Sequence, residues 1–352
     1  MRRVRVDSVP AGAKLARTVF SSDGGVLLMQ GVELKESYLE MLKKRGINEI
    51  YLEDGLSEGI EVRDVVSETT RNEAVVLVKD IMTGYSFSDT IDVENVKAIV
   101  NRIVDELLAN DDILYNLTEI KTVDDYTFKH SVSVCILSII TGIGLGFDTV
   151  QLRELGLGAI LHDIGKLCIP REILKKPGQL TMKEFEEIKR HTILGYELLK
   201  KSGQLYLSSS YIALGHHERY DGSGYPFRLK NEEIQVYARI VAVADVYDAL
   251  TSDRVYRKKL KALEVYEYIT SLGIHHFDPL VVENFVRFVT IYPVGTGVLL
   301  NTRERAIVVK HNRRVPTRPV VRIVYDEDMK RRTKEVDLSE DTGIFIVDTC
   351  EI

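Results

Sequence analysis

The sequence contains no tryptophan and only three cysteines, Cys135, Cys168 and Cys350, in 352 residues. Three scattered thiols cannot build a disulfide framework or a paired CxxC zinc site, so small stapled scaffolds are excluded and a reducing compartment is expected. Proline is sparse at 8 residues; hydrophobic residues make up 45% and charged residues 28%. That balance excludes disordered, collagen-like and low-complexity architectures. An excess of positive charge is also missing. Lys and Arg number 47 against 53 Asp and Glu, a formal charge of −6. A general nucleic-acid binder needs a basic face to neutralise phosphates, so neither DNA nor RNA is expected as a partner. Long apolar runs are absent as well. The N-terminus MRRVRVDSVPAGAKLA lacks the apolar stretch of a signal peptide. The uncharged segment 131–147, SVSVCILSIITGIGLGF, falls short of the roughly 18–20 residues of a membrane span and is rich in Ser and Gly. It is expected to be a buried core helix, and the chain to be cytoplasmic with no membrane segment.

At a prior of roughly 150 residues per domain, the length suggests two domains with an appendage. Residues 1–63 read as a small mixed α/β module. Strands are expected from MRRVRVDSV and RTVFSSDGGVLL, with a turn at Ser22-Asp23-Gly24-Gly25, a short helix over 37–46 and a returning strand INEIYLE. Residues 64–118 read as a helical connector with apolar positions at three- and four-residue steps, a stripe suited to core or to a homodimer interface. Residues 119–292 are a succession of helices, predicted over 123–143, 150–165, 181–202, 206–216, 235–252, 261–272 and 279–290. Residues 293–352 carry short β-branched runs (GTGVLLNT, RAIVVKHN, PVVRIVYD, TGIFIVDT), a small β extension. The fold class is mostly α.

Of eight histidines, five lie in the helical middle: His130, His162, His191, His216 and His217. Divalent transition metals favour neutral imidazole and carboxylate, although any one of these histidines taken alone reads as an ordinary core or surface residue. Context points further. In LGLGAILHDIGKLCIP, His162-Asp163 falls at the C-terminal part of an apolar helix, where polar side chains are costly without partners. Adjacent ligands on a helix can face two adjacent ions, and a carboxylate can bridge them. Lys166 follows His162 by one turn, on the same face, and suits an anionic substrate such as a phosphate; the bland reading is a solvated helix end. His216-His217 ends another apolar helix. Asp245 interrupts the apolar run 240–246, where an unpaired carboxylate costs several kcal/mol, so a metal or strong partner is expected; Asp248, one turn on, is the competing carboxylate.

A His, then His-Asp, His, His-His and Asp on successive helices resembles the HD superfamily of metal-dependent phosphohydrolases. HDIGK followed by HHERYDGSGYP resembles its HD-GYP branch, the bacterial cyclic di-GMP phosphodiesterases. The resemblance runs over 124–279 and ends in Phe277-Asp278-Pro279. PAGAKLARTVFSSDGGVLLMQGVEL resembles a small module found ahead of this domain, and YPVGTGVLLNTRERAIVV its common β tail.

The resemblance implies a helical HD-type catalytic domain and two divalent metal ions, iron or manganese. One ion takes His130, His162, Asp163 and Asp245; the other takes His191, His216 and His217, with Asp163 bridging. Asp163 and Lys166 are then the catalytic pair. Gly224, Tyr225 and Pro226 shape the pocket for the guanine nucleotide, and Lys166, Arg254 and Arg257 contact phosphate. Asp125 and Glu218 are candidates for orienting the imidazoles. Some members carry a Glu four residues before the first His, where it reaches a third metal; here Tyr126 stands there, so two ions are expected. His275 and His276 are expected to pack or cap rather than bind metal. The implied activity is hydrolysis of the 3′–5′ phosphodiesters of cyclic di-GMP, with pGpG or GMP as the end product, in bacterial second-messenger signalling with signalling proteins as further partners. The competing readings are a nucleotide-binding or protein-interaction module with weak turnover, and an HD phosphohydrolase for another nucleotide.

Overall fold

The computed structural model describes residues 1–10, 12–21, 25–62, 64–84, 92–110, 126–176, 178–252, 260–312 and 314–352. The chain divides into two compact units, one from its two ends and one from its helical middle.

The terminal unit starts with β1 (Arg2–Arg5), β2 (Lys14–Leu15), the pair β3 (Val19–Phe20) and β4 (Val26–Leu28), helix α1 (Glu36–Lys44) and β5 (Glu49–Glu53). β5 is central in an antiparallel sheet ordered β1-β5-β2. Leu15, Leu34, Leu42, Ile47, Ile50 and Leu52 close a small core beneath it. The C-terminal strands β6 (Gly297–Leu300), β7 (Arg305–Lys310), β8 (Val320–Tyr325), β9 (Arg331–Asp337) and β10 (Ile346–Thr349) form an antiparallel sheet ordered β10-β6-β7-β8-β9. A second cluster joins Ala16, Tyr51, Ile60 and Val62 to Val294, Ile307 and Val324, so the two ends of the chain share a core. β9 does not stand out in the sequence. It is an edge strand of composition RRTKEVD with five consecutive exposed residues, so it has no apolar alternation to read, and its charge discourages pairing with another chain.

The second unit is helical. α2 (Glu68–Gly84) and α3 (Val93–Leu108) pack on α4 (Tyr126–Gly144) and α5 (Thr149–Ile160). Asp92 caps α3 by accepting from the Asn95 amide at 3.2 Å, and α3 buries Val96, Ile99, Val100, Ile103, Val104 and Leu107. The apolar stripe expected as core or dimer face is therefore core. α4 is buried without interruption over 131–142, which explains its uncharged sequence. Among the described residues no helix is long and apolar enough to cross a membrane.

The chain continues through the single turn α6 (Arg171–Leu174), α7 (Met182–Lys189), α8 (His191–Ser202), α9 (Leu207–Gly215), α10 (Val236–Thr251), α11 (Ala262–His276) and α12 (Pro279–Phe288). Two boundaries differ from expectation. The segment read as one helix over 150–165 stops at Ile160, and a short 3₁₀ turn follows at Ile164–Cys168. The segment read as 181–202 is two helices meeting at Arg190. Both breaks fall beside histidines, for a reason visible at the site.

Candidate metal centre and adjoining pocket

The helices of the second unit bring their ends together at one buried place. α4 carries His130, the turn after α5 carries His162 and Asp163, the start of α8 carries His191, the end of α9 carries His216 and His217, and α10 carries Asp245 and Asp248. His162, Asp163, His191 and His216 are fully or almost fully buried.

Three of the imidazoles act as helix caps. The last carbonyls of a helix have no intrahelical partner, and a nearby His side chain can satisfy them. His162 Nδ1 donates to the Ala159 carbonyl at 2.7 Å, and His191 Nδ1 to that of Ile188 at 2.7 Å. His216 Nδ1 reaches the carbonyls of Ile212 and Ala213 at 3.1 and 3.0 Å. In each case the proton is held on Nδ1, which leaves Nε2 as an acceptor turned inward. The unexpected helix breaks at 161 and 190 follow from this: they let the imidazole reach back to the carbonyls instead of pointing outward from a continuous helix.

His130 is oriented differently. Its Nδ1 is 2.8 Å from Asp248 Oδ2 and its Nε2 is 3.1 Å from Asp245 Oδ1. Asp245 and Asp248, which the sequence left as competitors, thus take opposite sides of one ring. Asp248 sits behind the site and fixes the ring, while Asp245 faces inward.

The inward atoms form two groups. Asp163, His191, His216 and His217 each offer an atom within 4.8 Å of the others, and so do His130, His162 and Asp245. Asp163 connects the groups. Its Oδ2 is 3.4 Å from His162 Nε2, whereas its Oδ1 faces His191 Nε2 at 3.6 Å and His216 Nε2 at 3.9 Å. Among the described residues the buried His162 Nε2 and Asp163 Oδ1 have no hydrogen-bond partner. The Nε2 atoms of His191 and His216 stand 3.4 Å apart. Acceptors crowded together and left unsatisfied are costly unless a cation lies between them, so the donor set fits divalent ions.

The electrostatics agree. Burial and the neighbouring His217 push His216 well below the usual imidazole range. Burial pushes His217 down to about 3, and burial also lowers His191. These rings are neutral at pH 7, the form that binds metal. Burial opposes charge on His130 too, but Asp245 and Asp248 outweigh it and raise the ring to about 9. Asp163 is buried, yet Lys166 and the surrounding imidazoles hold its carboxyl well below the carboxylate range.

Lys166 lies on the 3₁₀ turn and donates to Asp163 Oδ2 at 2.5 Å, with its side chain 30% exposed. It therefore joins the site through Asp163, three residues before it, rather than by sharing a helix face with His162. Gly224, Tyr225 and Pro226 line a cavity of about 660 Å³ that also reaches His216 and His217. The Tyr225 ring lies on His217 with centroids 4.8 Å apart and planes at 31°. Glu218 does not orient an imidazole. Its two oxygens accept from the amides of Phe227 and Leu229 at 2.7 and 3.2 Å, clamping the loop that follows Pro226. His276 lines the cavity, and neither it nor His275 belongs to a donor group. Arg254, Arg257, Asp125 and the side chain of Tyr126 lie outside the described residues.

The sequence offers Asp248 as the competitor of Asp245 and Glu218 as an orienting partner; the contacts each one makes are visible only in the structure. A buried carboxylate one turn after another on an apolar helix was the only available signal for Asp248. Because it fixes the ring of His130 from behind, Asp248→Ala is expected to weaken metal binding about 10–100-fold. Equilibrium titration of the metal-stripped protein with manganese checks this, and unchanged affinity would assign Asp248 to packing alone.

The chain is similar to several known proteins. Residues 120–281 match the family described as HD domain, and residues 297–352 match the KOW domain associated with HD domain. The chain is 38% identical over 272 residues to the cyclic di-GMP phosphodiesterase PA4108 of Pseudomonas aeruginosa, an alignment covering 77% of this chain and 64% of that protein. It is 42% identical over 183 residues to a cyclic di-GMP phosphodiesterase of Thermotoga maritima, covering 50% of each. The chain thus spans between half and about two thirds of these curated relatives. Among solved structures, the HDG"Y"P protein Bd1817 of Bdellovibrio bacteriovorus shares the fold, with a TM-score of 0.51 at 18% identity, covering 80% of this chain and 97% of that one.

Proposed function

We propose, from the premise that this chain carries an HD domain followed by its associated KOW domain, that it is a metal-dependent phosphodiesterase opening cyclic di-GMP to linear pGpG. The observation that carries this reading is the pair of donor groups joined by Asp163, opening beside a cavity of about 660 Å³. That volume lies within the roughly 300–1,000 Å³ of small-molecule sites. The names of the relatives supply the substrate class.

Under this reading His130, His162 and Asp245 hold one ion, His191, His216 and His217 hold the other, and Asp163 serves both. The iron or manganese expected there would, when bound, lower the pKa of water toward about 7 and neutralise charge building on the phosphoryl oxygens. The protein's own part is positional. Carbonyl caps keep Nε2 of His162, His191 and His216 inward and unprotonated, and Asp248 fixes the ring of His130. Lys166, anchored on Asp163 and partly exposed, presents a cation to a phosphate oxygen. Tyr225, resting on His217, connects the base pocket to the reacting centre. Arg254 and Arg257 remain the proposed contacts to the second phosphate. The chain acts in second-messenger signalling, and its partners, a second copy of itself included, are expected to act through parts outside the site.

The test is anaerobic purification, a metal count, and chromatography of cyclic di-GMP incubated with the iron- or manganese-loaded protein. Linear pGpG appearing first, with about two metals per chain, supports the reading. Absence of hydrolysis under both loadings overturns it.

A further inference from the structure

The cavity has a wall that no motif named. α7 runs along it and presents Phe185, Glu186 and Lys189, beside the loop that carries Tyr225. The helix is anchored at its start: Thr181 and Glu184 cap each other, and Lys176 binds Glu184 at 2.6 Å. A wall fixed in this way suits recognition better than a free loop.

Phe185 is 42% exposed, which is unfavourable for a benzyl side chain unless something covers it. Its ring meets that of Tyr225 edge to face, with centroids 6.4 Å apart. Lys189 Nζ lies 4.7 Å from the Phe185 centroid and 5.4 Å from that of Tyr225, bracing both rings. Lys189 also donates to Glu186 Oε1 at 2.7 Å, and the Glu186 carboxylate, 62% exposed, stands at the cavity edge open to a ligand. An aromatic corner beside an accessible carboxylate matches one kind of planar ligand. The rings offer stacking area, and two carboxylate oxygens accept from two adjacent N–H donors. Guanine has such an edge, with N1–H beside the N2 amino group. Adenine presents an acceptor at N1 and is repelled there.

On these grounds we infer that α7 is the base-reading wall of the site: Phe185 stacks a guanine of the substrate and Glu186 accepts its N1–H and N2–H donors. The inference rests on the cyclic dinucleotide reading above and assigns its specificity to residues outside the GYP loop. It concerns which base is held, not how phosphorus is attacked.

The experiment compares the full metal-loaded chain with Phe185→Ala, Phe185→Tyr and Glu186→Gln. It measures dissociation constants for cyclic di-GMP and cyclic di-AMP by calorimetry and KM by product formation. Phe185→Ala is expected to raise both constants for cyclic di-GMP about 10-fold, the loss of one stacked base, while Phe185→Tyr restores them. Glu186→Gln is expected to reduce the preference for cyclic di-GMP over cyclic di-AMP by about 10-fold or more. Metal content should be unchanged in all three, since none of these side chains belongs to a donor group. Variants that keep wild-type affinity and preference, while the wild type hydrolyses cyclic di-GMP, overturn the base wall alone. A wild-type chain that neither binds nor hydrolyses cyclic di-GMP overturns the wall together with the reading beneath it.

Discussion

Asp163→Asn is expected to abolish the proposed turnover of cyclic di-GMP, by about 10³-fold or more, and to strip metal from both donor groups together. The magnitude exceeds the roughly 10–100-fold cost of losing a group behind the ligands, because Asp163 itself faces both groups. Its two oxygens point different ways, Oδ2 toward His162 and Oδ1 toward His191 and His216. An Asn there replaces one acceptor with an NH₂ donor and removes the negative charge that offsets the ions. Lys166 would lose its partner in the same step, but its side chain is partly exposed and can be rehydrated. The decisive readout is elemental analysis of the purified variant beside turnover, with circular dichroism confirming the fold. Removing His217, by contrast, touches one group only. If the Asn variant kept one metal at full occupancy, Asp163 would belong to a single group and the bridging assignment would be wrong.

Gly165→Ala is expected to be the most damaging methyl addition near the site. A Cβ on Gly165 would stand 1.9 Å from the His191 carbonyl oxygen and 2.5 Å from the Gly195 amide nitrogen. Both obstacles are backbone, so no rotamer change relieves the clash; the 3₁₀ turn and α8 must separate. Overpacking of this kind costs about 3 kcal/mol or more, enough to lower the melting temperature by several degrees in a domain of this size. The separation would also carry His191 away from Asp163, so metal should be lost even from the fraction that folds. Thermal unfolding and metal content, measured together, check both parts. A variant with wild-type melting and two metals would show that the turn and helix can part at no cost. Gly224 has the same character on the other side of the pocket, where a Cβ would meet the Glu218 and Arg219 backbone at 2.5 and 2.3 Å.

Much of this protein is written locally. The order His, His-Asp, His, His-His, Asp named the donor set, and every one of those residues reaches the two groups. Periodicity placed most of the helices, because an amphipathic or fully apolar segment carries its own burial pattern. The uncharged stretch 131–147 reads as core for the same reason, and its first twelve residues, 131–142, are buried. Where the reading failed, the deciding contact was distant or polar. His130 and Asp248 are 118 residues apart, and nothing in either neighbourhood says that they meet. Residues around His162 and Arg190 have helical composition, yet the helices end there because an imidazole bonds the last carbonyls. β9 carries no apolar alternation because an edge strand buries little, and the shared core of the chain's two ends joins segments more than two hundred residues apart.

The sequence by itself determined which chemistry is present: imidazoles and carboxylates in metal-binding number, an aromatic loop, and too little positive charge for an extended nucleic-acid face. Only the tertiary structure decided how these groups are used. It set Asp245 toward the site and Asp248 behind it, turned Glu218 from the imidazoles to the loop, and made α7 a wall of the pocket. The physical reason is that residue type and spacing specify what a side chain can bond, whereas burial and the approach of distant backbone specify which bond is left for it to make.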